Sequence, residues 1–376
     1  MRFFFVLLLI MHFAGSASGQ LFETRAVWFA TVLGDGNWPE SSLDSAEKQE
    51  ADLRDRIRTA AANGMNTFVF QAVARGDAMY PSERLPWSWR LTTSGGDPGY
   101  DPLAVAVDEA HKLGIELHAW VNVFYAADTS NVKRYADAAE PAHVYYEHPE
   151  WMKVKGREIW LDPSSDEARE WLVGNVMEIV ENYDVDAIHY DFIRYAQGAF
   201  SDDLANCQFE GPCPDLGQWR RENVTAVVRD SYNAVYTAKP WVKVGATPIG
   251  HYQGPYEWGF FSAYNEAYQA SREWMPAFAD YLAPQIYWSI GQVYDPPRFE
   301  VLADEWVRES EGPIFIGMPA YGADPAAVNS PFPPEDLPAQ IEVARQVGAE
   351  GHVFFRYDHF LKYAHYILPK YPDLAL

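Results

Sequence analysis

Val185-Asp186-Ala187-Ile188-His189-Tyr190-Asp191-Phe192-Ile193-Arg194-Tyr195 is the stretch from which the architecture can be read. Ala187, His189 and Asp191 alternate with Ile188, Tyr190 and Phe192. One face of a strand is therefore apolar, while the other runs from small to charged toward its C-terminal end. In a parallel barrel the apolar face packs on helices. The other face turns inward and delivers Asp191 to the mouth where such barrels do chemistry. Taken alone, the stretch leaves a second option open, in which Asp191 caps a turn or pairs with Arg194.

Outward from this strand, β-branched and aromatic runs recur at 25–31, 67–72, 115–122, 187–192, 242–248, 281–288, 314–319 and 351–356. Helical patterns lie between and after them at 45–63, 102–113, 165–183, 218–238, 263–274, 297–309, 334–347 and 360–368. Such regular alternation predicts an α/β fold of the (β/α)8 TIM-barrel type. A doubly wound open sheet is disfavoured, because Gly34-Asp35-Gly36 lacks the third glycine and the helix start of a phosphate-binding turn. Asn63-Gly64 and Leu113-Gly114 end helices, and Asp101-Pro102 opens one. The long loops at 74–100, 124–161 and 249–262 all follow strand C-termini, the functional face of a barrel.

The N-terminus reads as an export signal over residues 1–19: a basic Met1-Arg2, an apolar stretch too short to span a bilayer comfortably, then small residues. The remaining 20–376 form one domain, expected to be periplasmic or extracellular with no stable membrane insertion once the leader is removed. A net charge of -24 argues against nucleic acid and anionic lipid as partners. Aromatic residues make up 15% of the chain, with 14 Trp and 23 Tyr, and these stack well on sugar rings. Cys207 and Cys213 close a short segment that an oxidising compartment favours as a disulfide.

Polar residues collect at strand ends. Gln71, Trp120, Asn122, Gln285, Tyr287 and Trp288 would line a cleft for hydroxyls and ring faces, with Arg356 at the end of the last strand. His189, two residues below Asp191 on the same face, is expected to orient it. No His/Asp cluster has metal spacing, so neither a metal nor another cofactor is expected, and the lack of a Gly-x-Ser-x-Gly elbow disfavours a serine hydrolase. What remains is carboxylate chemistry, and glycoside hydrolysis usually needs two carboxyl groups. Asp191 is the candidate for the ionised member. Glu257, in Gly254-Pro-Tyr-Glu-Trp-Gly259, is the candidate acid because flanking rings would desolvate it. Asp77 is the other contender, whereas Asp101, Asp162 and Asp358 each precede a helix and read as caps.

These residues fall in blocks that resemble the glycosyl-hydrolase-like family 10 domain. The blocks are Arg25-Ala-Val-Trp-Phe-Ala-Thr31, Phe70-Gln-Ala-Val-Ala-Arg75-Gly-Asp77-Ala-Met-Tyr80-Pro-Ser82, His118-Ala-Trp-Val-Asn122, Trp160-Leu-Asp-Pro163, Asp184-Val-Asp-Ala-Ile-His-Tyr-Asp191 and Ala283-Pro-Gln-Ile-Tyr-Trp288. The resemblance implies a (β/α)8 barrel and a bacterial envelope enzyme, similar to one that hydrolyses peptide-free peptidoglycan strands. It also implies Asp191 as catalytic, with Gln71, Arg75, Asp77, Trp120, Asn122, Gln285 and Tyr287 around the cleft; Tyr80 and Arg194 join the substrate-binding candidates. Three positions depart from the family pattern. Phe192 stands where a second Asp is frequent, Asp162 where Asn is usual, and Gln269 where an Asp is common. The reading is an exported glycoside hydrolase acting on a polysaccharide, foremost peptide-free peptidoglycan. A different exopolysaccharide, and a catalytically silent glycan-binding barrel, are the alternatives. The lactyl carboxylates of peptidoglycan sit awkwardly with the acidic chain unless Arg75, Arg194 and Arg356 form a basic patch.

Overall fold

The computed structural model describes residues 23–32, 38–93, 95–136, 141–253, 261–291, 298–325 and 332–371. The expected leader and Glu257 lie outside them. Eight parallel strands form the barrel: β1 (Thr24–Phe29), β2 (Thr67–Val73), β3 (Glu116–Asn122), β7 (Ala187–Asp191), β8 (Lys243–Ala246), β9 (Tyr281–Leu282), β10 (Phe315–Met318) and β11 (Gly351–Phe354). They are ordered β10-β11-β1-β2-β3-β7-β8-β9. Parallel bridges Leu282↔Ile314 and Gln285↔Gly317 join β9 to β10 and close the ring. The (β/α)8 expectation holds.

Helices α1 (Ala46–Ala62), α2 (Pro102–Lys112), α4 (Asp166–Asn182), α6 (Leu216–Ala238), α8 (Phe299–Glu309), α9 (Asp336–Val347) and α10 (Tyr357–Ile367) surround the barrel, with the shorter α3 (Val144–Glu147), α5 (Asp203–Glu210) and α7 (Ser271–Trp274) among its loops. Local chemistry explains their starts. Ser45, Asp101, Ser165 and Asp215 each accept an N–H of the first turn. Ser165, rather than Asp162, thus caps α4; Asp162 instead pairs with Lys153 at 2.9 Å and accepts from Ser164. Asp358 lies inside the first turn of α10.

Strand alternation separates two cores. Phe29, Phe68, Phe70, Ile188 and Tyr190 face outward into the layer shared with the helices. Trp28, Trp120, Ala187, Tyr281 and Phe315 fill the barrel itself. Gly245 makes this filling feasible, since a Cβ there would lie 2.1 Å from the Tyr281 ring.

Two expected elements shorten. The 263–274 helix reduces to α7, because Tyr268 takes a left-handed φ of 57° and Gln269 spends its buried amide on Ile193 O and Ile249 N. The 281–288 strand has ladder pairing only at Tyr281–Leu282 before Pro284, which has no N–H to donate. One element went unread. The loop after β3 holds a three-stranded antiparallel sheet of β4 (Tyr125–Asp128), β5 (Met152–Lys155) and β6 (Glu158–Leu161). Cys207 of α5 and Cys213 form the expected disulfide, in the stretch between β7 and α6. No described helix is long and apolar enough to cross a membrane.

Candidate active site

Asp191 ends the fourth barrel strand, in register with Asn122 of β3. Its backbone turns sharply at once. Phe192 adopts φ 49°, a left-handed conformation that is unfavourable for a bulky residue, and donates its N–H to Asp191 Oδ1 at 2.7 Å. Gln285 Nε2 donates to the same oxygen at 3.3 Å and to Thr247 O at 3.2 Å. The carboxylate therefore points into a cavity of about 380 Å³ at the C-terminal ends of the strands, the usual place and size for a small-ligand site.

Strand ends build the walls. Trp28 comes from β1, Gln71 from β2, Trp120 and Asn122 from β3, while Thr247, Gln285, Tyr287 and Phe355 follow β8, β9 and β11. Trp120 donates its indole N–H to Asn122 Oδ1, and Asn122 donates to Ala74 O, so both side chains are fixed. Gln71 Oε1 accepts from the Thr31 N–H at 2.9 Å. Tyr287 stacks on Phe355 with centroids 5.6 Å apart. The remaining wall is the insertion. Phe192 packs on Tyr125 and Trp160, and the Arg194 guanidinium lies 4.7 Å from the Phe192 centroid and 5.3 Å from that of Trp160.

Burial pushes the Asp191 carboxyl up to about 6, against the opposing pulls of Arg194, the Phe192 N–H, Gln285 and Trp120. Because the folded value lies above the ordinary 3.8, this group stabilises the fold most below that pH, and the contribution is lost as pH rises through about 6. At pH 7 the ionised carboxylate then costs roughly 3 kcal/mol. Asp191→Asn is accordingly expected to raise the denaturant midpoint at pH 7 and to differ little from the parent at pH 4. An equal or lower midpoint at pH 7 would contradict this electrostatic picture.

Other sequence candidates fall elsewhere. His189, 1% exposed, spends both ring nitrogens on groups other than Asp191. It accepts from the Trp28 indole at 2.9 Å through Nε2, leaving Nδ1–H to donate to Tyr281 Oη at 2.9 Å. The Tyr281 hydroxyl donates in turn to His118 Nδ1 (3.0 Å), and His118 Nε2–H donates to Glu116 (2.9 Å). This hydrogen-bonded chain runs down the barrel and orients Trp28; burial holds His189 well below the usual imidazole range. Asp77 and Tyr80 are buried outside the cavity lining, Asp77 by bonding to its own backbone neighbourhood and Tyr80 by packing edge-on against Tyr183. Trp288, one residue beyond Tyr287, packs against the helix-side core instead. Arg356 is taken by Asp358 at 2.7 Å and does not line the cavity.

The second carboxylate on the cavity wall, among the described residues, is Glu158, which sequence reasoning missed. It opens β6 after the turn Gly156-Arg157, and its Oε2 accepts the Trp160 indole N–H at 3.0 Å. Arg194 faces both carboxylates electrostatically. The run Met152-Lys-Val-Lys-Gly-Arg-Glu-Ile-Trp-Leu161, two alternating arms about a glycine, was the available signal for this hairpin. Among the described residues no group of three or more His, Cys, Asp or Glu side chains is placed to hold a metal ion.

Comparison with known proteins agrees with this geometry. The family model described as "Glycosyl hydrolase-like 10" matches residues 23–332. Glycosyl hydrolase YngK of Bacillus subtilis is 33% identical over 86% of this chain, which spans 66% of that relative, just under two thirds of its length. Glycosyl hydrolase DigH of Escherichia coli is 31% identical over 79% of this chain and 73% of its own. Among solved structures, an α-L-fucosidase of Paenibacillus thiaminolyticus superposes with a TM-score of 0.64 at 14% identity, over 93% of this chain and 49% of its own. The catalytic domain of a β-amylase from Paenibacillus polymyxa does so with 0.57 at 11% identity, over 93% and 98%. The last two likenesses concern the fold. The match over residues 23–332, with relatives above 30% identity, shows that the chain belongs to the glycosyl hydrolase-like 10 family.

Proposed function

We propose that the protein is an exported glycoside hydrolase that cleaves peptide-free peptidoglycan glycan strands, with Asp191 as the ionised carboxylate and Glu158 as the proton donor. The observation that carries this reading is a buried strand-end carboxylate and a second carboxylate on the wall of one aromatic cavity. Tyr287 and Phe355, partly exposed over the buried Trp28 and Trp120, offer ring faces for pyranose stacking, while Gln71, Asn122 and Gln285 offer amides for hydroxyls. In the transition state positive charge develops on the sugar, and an ionised Asp191 in a water-poor site stabilises it directly. Gln285 and the Phe192 N–H hold the carboxylate in one orientation for that task.

The test is release of reducing ends by purified protein from peptide-free strands, intact peptidoglycan and chitin oligosaccharides. Release is expected from the peptide-free strands above all. Release confined to chitin would move the substrate to a neutral glycan, and tight binding to all three without release would leave a silent glycan-binding barrel.

A further inference from the structure

Arg75 is fixed by buried groups yet paired with none. It follows β2 in Arg75-Gly76-Asp77, with its side chain on the cavity wall. Its N–H donates to Asp77 Oδ1 at 2.9 Å, and its carbonyl accepts from His143 Nε2 at 2.7 Å. Asp77 also accepts from Tyr135 Oη at 2.5 Å, and the Tyr135 and His143 rings stack at 4.6 Å. His143 Nδ1 accepts from the Tyr145 N–H, which leaves the proton on Nε2. Gly76 has a φ of 64°, and a Cβ there would lie 2.9 Å from His143 Nε2. Asp77, Tyr135 and His143 are thus buried polar groups satisfied around the main chain of one residue. The Arg75 guanidinium, half-buried, forms neither an ion pair nor a hydrogen bond with any described residue.

Two further arginines lie near it. Arg90 and Arg134 place their guanidiniums 5.2 Å and 4.2 Å from the Trp89 ring centroid, and Arg75 and Arg134 both act electrostatically on Arg90. Neither has a carboxylate partner among the described residues, and Arg90 Nε and Trp89 Nε1 are buried donors without a hydrogen bond. Guanidiniums this near one another repel, and among the described residues the Asp77 carboxylate spends its hydrogen bonds on the Arg75 N–H and Tyr135 Oη rather than on any of the three. A bound anion relieves that repulsion, and a planar guanidinium fork matches a carboxylate.

We propose that Arg75, backed by Arg90 and Arg134, forms a subsite that reads a carboxylate carried by a sugar of the glycan. The inference deepens the proposed function, for which that group is the lactyl carboxylate of muramic acid; a uronic acid presents the same chemistry from another source. Asp77, Tyr135 and His143 act as positioning residues for Arg75.

The test uses the full chain carrying Asp191→Asn, so that strands bind without turnover. Dissociation constants are measured for peptide-free peptidoglycan oligosaccharides, for the same oligosaccharides with carboxyls reduced to hydroxymethyl groups, and for oligogalacturonate. The chain is expected to prefer the acid form to the reduced form at least tenfold, and added Arg75→Met to bring that ratio within about twofold. Tyr135→Phe, which leaves the guanidinium in place, should lower the ratio part of the way. No preference before the change, or a preference that survives Arg75→Met, overturns the subsite. A preference for oligogalacturonate keeps the subsite but removes peptidoglycan as the substrate, so the two readings fail separately.

Discussion

Replacing Asp191 by asparagine is expected to lower kcat/KM for reducing-end release from peptide-free strands by about a thousandfold or more, with strand binding largely retained. Asparagine keeps the shape of the side chain and an oxygen to accept the Phe192 N–H and Gln285 amide, so the cavity should survive. What is lost is the negative charge, which matters most when the sugar becomes cationic. The same substitution relieves the burial of that charge and stabilises the fold at neutral pH. Loss of activity together with gain in stability is the combination expected of a group held where it is useful rather than comfortable. A variant that keeps a tenth or more of the parent rate would remove Asp191 from the chemistry.

Glu158→Gln is expected to slow the same reaction about a hundredfold or more, the range for losing a positioned general acid. The argument rests on placement: Glu158 reaches the Asp191 cavity from β6 of the insertion, tied by the Trp160 indole and facing Arg194. A leaving group that departs readily needs little protonation, so aryl glycosides with acidic phenols should recover most of the lost rate. If the variant is equally impaired on these and on natural strands, Glu158 only shapes the cleft.

The architecture was legible because the barrel separates its environments cleanly. Ala187, His189 and Asp191 turn inward while Ile188 and Tyr190 meet the helices, and period-two alternation encodes that division. Strand-end polarity also placed Gln71, Trp120, Asn122, Gln285 and Tyr287 on one cavity. Tertiary choices were not legible. Asp77 has the composition of a ligand, yet its carboxylate turns back to the Arg75 N–H and to Tyr135. Arg356 resembles a cleft cation until Asp358, two residues on, takes its guanidinium. His189 shares a face with Asp191 but bonds across the barrel to Trp28 and Tyr281, contacts that no local pattern carries. Glu158 enters the site because Phe192 packs on Tyr125 and Trp160 of the insertion. Phe192, which seemed to remove a second acid from the strand, is thus the contact by which the insertion brings one.

The most direct test of the central claim is the pH dependence of kcat/KM between pH 4 and 8 on aryl glycosides with acidic phenols, whose departure needs no proton donor. With the carboxyl of Asp191 held near 6 and required in its ionised form, the rate should rise with pH through about 6. A rate that is greatest below pH 5 and falls through 6 would require Asp191 in its protonated form and contradict the role assigned to it.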